Sequence, residues 1–130
     1  MTDVDRSLGF YRDQLGFSLD VDYAPTRAFR VVQLTPPGSG CSVQFGLGLT
    51  DAPPGSARDT FLVVEDLAST HARLTGAGVD VAPIRHKTPP GAWDGGFAPG
   101  LDPDRGDYAS FAGFSDPDGN TWVLQERGHR

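Results

Sequence analysis

Two stretches of this chain, 63 residues apart, are built alike, and that repeat limits the fold more than any other feature. "TDVDRSLGFYRDQLGF" offers Thr2 or Asp3 as a helix cap, Val4, Leu8, Tyr11 and Leu15 at helical spacing, and Gly16 as a stop. "EDLASTHARLTGAGV" offers Asp66 as cap, Leu67, His71 and Leu74 on one face, and Gly78 as stop. With Asp3-Val4 laid on Asp66-Leu67, Tyr11 falls on Leu74. The pattern predicts two copies of one module, each with one amphipathic helix whose apolar face is buried against a sheet.

Strands follow each helix. In the first half they are "FSLDVDYA", "AFRVVQLT" and "CSVQFGLGL"; in the second, "VDVAPIRH", "DYASFAGF" and "TWVLQE". Enrichment in Val, Phe, Tyr and Trp between Gly and Pro punctuation favours strands over short buried helices. A further strand, "DTFLVVE", precedes the second helix, so the second half reads β-α-β-β-β. The first half reads α-β-β-β, because only Met1 and Thr2 precede its cap, and a first strand is missing from the pattern. The expected class is α+β: module one over 1–50, a linker over 51–58 and module two over 59–130. "FSDPDGNTW" between the last two strands is a hairpin signal, with Pro117 presetting φ and Gly119 accepting φ > 0.

A length of 130 residues is one domain with room for a real core. A formal charge of −6 argues against nucleic acid or an anionic membrane as partner, since both need a basic face. No apolar run is long enough to span a bilayer, and no signal peptide is visible, so a cytoplasmic location is expected. Cys41 is the one cysteine, which excludes an intramolecular disulfide and fits a reducing compartment; inside "CSVQF" it reads as a small buried hydrophobe.

Residues 86–106 read as a loop with five glycines from Gly91 to Gly106. A structureless segment of that length is disordered or functional, and the spaced Trp93, Phe97 and Leu101 favour function. Trp93 and Phe97 either cover a ligand as a lid or staple the loop to its own sheet.

The phrases "DVDRSLGFYRDQLGF", "VVEDLASTHARLTGAGV" and "FSDPDGNTWVLQE" span almost the whole chain. In this order they resemble the vicinal oxygen chelate superfamily, which includes the glyoxalase, bleomycin-resistance and extradiol dioxygenase proteins, and a branch described as glyoxalase-like. The resemblance implies paired βαβββ modules forming a cup-shaped mixed sheet, with up to four inward side chains binding a divalent cation that acts as a Lewis acid. At the matching positions stand Gln44, Asp59 and Val123, and the fourth position would precede Met1. Val123 carries no donor, and His71, His86 and His129 occupy none of these positions. No metal is therefore expected; a divalent ion held through Gln44 and Asp59 is the alternative.

Without a metal, the implied cup is a pocket lined by alternate strand residues. Gln44, Phe111 and Val123 are expected there, although Phe111 also fits a core position. Arg30 is either a charge at the pocket mouth or an exposed strand residue. Two readings stay open. One is a binding protein that sequesters a small apolar or aromatic compound under Trp93 and Phe97, as bleomycin-resistance members do. The other is a lyase, isomerase or cyclase using Asp59 or His86 as catalytic base. A sheet lacking one strand leaves backbone groups unpaired beside the strands that carry Gln44 and Asp59; either the natural chain starts upstream of Met1 or a second copy covers the edge, and a homodimer is expected.

Overall fold

The computed structural model describes residues 2–129, which divide into two compact units. Unit one runs to Ser56 and includes the turn Asp116–Asn120; unit two holds Ala57–Ser115 and the chain from Thr121. Two helices and two sheets give the α+β class anticipated from the repeat.

In unit one, helix α1 (Val4–Gly9) runs into a single π-helical turn, Phe10–Gln14. The Asp3 carboxylate caps it by accepting the Arg6 N–H at 3.0 Å. The π turn closes through Leu15 N–H donating to the Phe10 carbonyl at 3.0 Å, and Gly16, at φ 79°, ends the helix. Strands β1 (Ser18–Thr26), β2 (Phe29–Thr35) and β3 (Val43–Leu47) form an antiparallel sheet in that order. Alternation along β2 buries Val32 and Leu34, which join Leu8, Tyr11, Leu15 and Phe45 in the core. The same alternation turns Val31 and Gln33 to the other face.

Tyr11 is the hinge pin of this core. Its ring lies 5.5 Å from Phe45, and its hydroxyl donates to Asp116 Oδ2 at 2.7 Å. Asp116 also accepts from the backbone N–H groups of Asp118 and Asn120 and from the Asn120 amide. One carboxylate thus organises the hairpin turn that "DPDGN" predicts.

Unit two is built from β4 (Thr60–Val64), α2 (Leu67–Gly76), β5 (Arg85–Thr88), β6 (Gly96–Pro99), β7 (Ser110–Ser115) and β8 (Thr121–Glu126). The sheet order is β4-β8-β7-β5-β6, with β4 and β8 parallel and the remaining pairs antiparallel. Asp66 caps α2 by accepting the Ser69 N–H at 3.0 Å. Leu67 and Leu74 are buried with Leu124, Ala112, Phe114 and Trp122 of the sheet. Both helix faces lie where the periodicity puts them.

Three expectations change. The stretch 79–84 is not a strand: Val81 N–H turns back to the Val79 carbonyl, and regular pairing starts only at Arg85. Residues 86–106 are not a structureless loop. Arg85–Thr88 pairs with Gly96–Pro99 as a hairpin that adds a fifth strand to the sheet. Cys41 is exposed, since it precedes β3 at the end of a turn held by Ser39.

Candidate functional site

Strand alternation gives the unit-two sheet one face buried by α2 and one face of different character. On the second face stand Phe61 of β4, Phe111 of β7, Phe97 of β6, and Val123 of β8. Register fixes them as neighbours: Phe61 opposes Val123, Phe111 opposes Gln125 and Arg85, and Lys87 opposes Phe97.

The rings form a connected series. Phe61 meets Phe111 at a centroid distance of 6.3 Å, Phe111 meets Phe97 at 5.7 Å, and Phe97 meets Trp93 at 5.7 Å. All three contacts are edge-to-face, the arrangement the ring quadrupole favours. Phe111 is 5% exposed, whereas Phe61, Trp93 and Phe97 are 50%, 47% and 38% exposed. One ring anchors the series in the sheet and three present apolar area to solvent. Trp93 is fixed in place because its indole N–H donates to the Gly96 carbonyl at 2.7 Å, across the β5–β6 turn. Gly113, on the same face, leaves open space, since an added Cβ there would meet only the Trp122 carbonyl at 3.6 Å.

Two cations stand on this face. The Arg85 guanidinium carbon lies 4.0 Å from the Phe97 centroid, and Lys87 Nζ lies 4.4 Å from the Trp93 ring and 5.6 Å from Phe111. Sequence reasoning missed Arg85, Lys87 and Phe61. The period-two spacing of Arg85 and Lys87 was the available signal, hidden by reading residues 86–106 as one irregular loop.

The other expected site residues are distributed as follows. Asp59, the residue before β4, has φ 52° and donates its N–H to Thr121 Oγ1 at 2.7 Å, and it is exposed. His86 sits between Arg85 and Lys87 and so points to the opposite face, where its Nδ1–H donates to the Gly100 carbonyl at 2.8 Å. That orientation separates His86 from the aromatic series. Gln44 belongs to unit one, where its amide donates to Gln33 Oε1 at 3.2 Å. Arg30, also in unit one, is on the face of Val32 and Leu34. Asp22 and Asp5 bind its guanidinium at 2.9 and 2.8 Å and push its pKa up, Asp22 the more strongly, so it is a structural ion pair.

A divalent metal does not fit this donor set. Val123 offers hydrocarbon where the resemblance implies a ligand, and among the described residues no three His, Cys, Asp or Glu side chains cluster to hold an ion.

Residues 1–124 match the model of the Glyoxalase/Bleomycin resistance protein/Dioxygenase superfamily, and the chain belongs to that superfamily. Among solved structures it is similar to a glyoxalase/bleomycin resistance protein from Streptomyces sp. CB03234, at 30% identity and a TM-score of 0.69, over 95% of this chain and 91% of that one. It is equally similar to TnmS3, an antibiotic binding protein from Streptomyces sp. CB03234, at 30% identity and TM-score 0.69, over 95% and 86% of the two chains. A superfamily member from Sphaerobacter thermophilus DSM 20745 follows at 30% identity and TM-score 0.67, over 96% and 89%. No curated protein matches the chain. Among the described residues, no helix is long and apolar enough to cross a membrane.

Proposed function

We propose that this protein is a binding protein of the bleomycin-resistance type that sequesters a small, flat, largely apolar compound on the aromatic face of unit two, without a resident metal. The observation that carries this reading is the run Phe61, Phe111, Phe97 and Trp93, in which one ring is buried and three are partly open. An exposed, contiguous aromatic series costs solubility, and occupation by a planar ligand removes that area from water. The similarity to an antibiotic binding protein over nearly the whole chain supports the same class of function. His86 turns away from this face, which weighs against the base-catalysed alternative.

The test is a titration of the fluorescent probe 9-anthracenemethanol, read by its anisotropy. Saturable binding is expected, and Trp93→Ala should weaken it by about 5- to 150-fold, the equivalent of uncovering one large apolar side chain at roughly 1–3 kcal/mol. Absence of saturation at millimolar probe, or a Trp93→Ala variant that loses stability but keeps its affinity, overturns the reading. In that second case Trp93 serves only to tie the hairpin through Gly96.

A further inference from the structure

We infer that the compound held on this face is an acid: a planar aromatic bearing a carboxylate or similar anion, with Arg85 and Lys87 as the residues that select it. This rests on the binding reading above and adds the charge of the ligand to it.

The chain has 17 Asp and Glu against 11 Lys and Arg, so its cations have an excess of carboxylates to pair with. Arg6, Arg12, Arg30 and Arg105 each do so. Arg85 and Lys87 have no carboxylate partner among the described residues, and Lys87 is the one lysine in the sequence. Their placement two residues apart on β5 points both charges to one face, where they repel each other. Asp94, in the turn between β5 and β6, accepts the Gly96 N–H at 3.1 Å and forms no ion pair with either cation among the described residues.

The rings beneath satisfy only one side of each cation. A π face attracts the charge but accepts none of the directional hydrogen bonds that an ammonium or a guanidinium can donate. Those donors remain available above Trp93 and Phe97. A flat ring laid along the aromatic series, with its anionic group near β5, meets both demands at once: stacking area from the aromatics and charge-assisted hydrogen bonds from Lys87 and Arg85. A neutral ligand of the same shape would leave two like charges uncompensated beside it.

The test compares 9-anthracenecarboxylate with 9-anthracenemethanol, the same ring with and without charge, by isothermal titration of the full chain. The acid should bind about 5- to 10-fold more tightly, and this advantage should shrink as salt rises. Lys87→Gln should remove most of the advantage while the alcohol's affinity falls less than about threefold, and Lys87→Arg should restore it. If both probes bind equally, or if Lys87→Gln lowers both alike, the inference fails and the aromatic binding reading stands. If neither binds, both fall.

Discussion

Arg105 grips Glu126 with two hydrogen bonds, Nη2 to Oε1 at 2.6 Å and Nε to Oε2 at 2.8 Å, on a glutamate that is 0% exposed. Oε1 also accepts the Leu67 N–H at 2.8 Å, so the same carboxylate ties the first turn of α2 to the end of β8. Its burial without this partner would be costly; with it, every buried side-chain polar atom among the described residues is satisfied. The hydrogen bonds from Arg105 hold the Glu126 carboxyl below its usual range; burial opposes this, and the Leu67 N–H adds to it. A folded pKa below the unfolded one means stability that is present above the unfolded value, about 4.3, and lost as pH falls through the folded value. The melting temperature should therefore drop on acidification below about pH 4.5. Glu126→Gln should remove part of that drop and Arg105→Met should cost roughly 3–5 kcal/mol in urea unfolding, because it strands a buried charge. An unchanged acid limb in Glu126→Gln would assign acid unfolding to other carboxylates.

Local signals were legible and partners across space were not. Asp3 and Asp66 announce themselves as caps because the bond each makes reaches only three residues ahead. "DPDGN" is equally local: Asp116 closes its own turn through Asp118 and Asn120. The Arg105–Glu126 pair spans 21 residues and depends on Arg105 holding φ 49°, which no periodicity reveals. At the candidate site, Trp93 and Phe97 stood out as aromatics among glycines. Phe61 and the Arg85–Lys87 pair became visible only once strand register placed them beside those rings.

Two glycines with opposite surroundings make the packing of the strands testable. A Cβ on Gly46 would sit 1.8 Å from the Arg30 carbonyl oxygen, so β3 approaches β2 as closely as it does only because the side chain is absent. Gly46→Ala should destabilise the protein by about 1–3 kcal/mol or more, as overpacking against backbone does. Gly76, the last residue of α2, has nothing within 4 Å of its Cβ position, and Gly76→Ala should stabilise by roughly 0.4–1 kcal/mol. Chemical denaturation of the two variants reads both signs. Equal effects would mean that the β2–β3 approach relaxes freely.

Metal content is the next expected outcome. With Val123 at a family ligand position and no acidic or histidine cluster among the described residues, protein purified without chelator should hold well under one equivalent of Zn, Ni, Fe or Mn. EDTA should leave its melting temperature unchanged. Elemental analysis showing a stoichiometric ion lost on Gln44→Ala or Asp59→Ala would return the lyase and dioxygenase chemistries to consideration.

The association state follows from the sheet edges. β3, which carries Gln44, ends the three-stranded sheet, and β4, which follows Asp59, ends the five-stranded one. Each edge presents backbone donors and acceptors, and on β4 they are flanked by the exposed side chains of Phe61 and Val63. An edge that is both unpaired and apolar invites a second chain, so a symmetric homodimer using these edges is expected. Light scattering at micromolar concentration should give twice the chain mass of 13.9 kDa. Val63→Lys should shift it to the monomer, since a charge on an edge strand opposes pairing there. Val63 lies two residues from Phe61 on the same face of β4, so the variant also reads whether that end of the aromatic series takes part in ligand binding. Val63→Lys protein that becomes monomeric yet still binds 9-anthracenemethanol would assign the edge to assembly and the Phe111, Phe97 and Trp93 rings to the ligand. A wild-type protein that runs as a stable monomer, with fast amide exchange along β3 and β4, would mean that both edges are simply solvated.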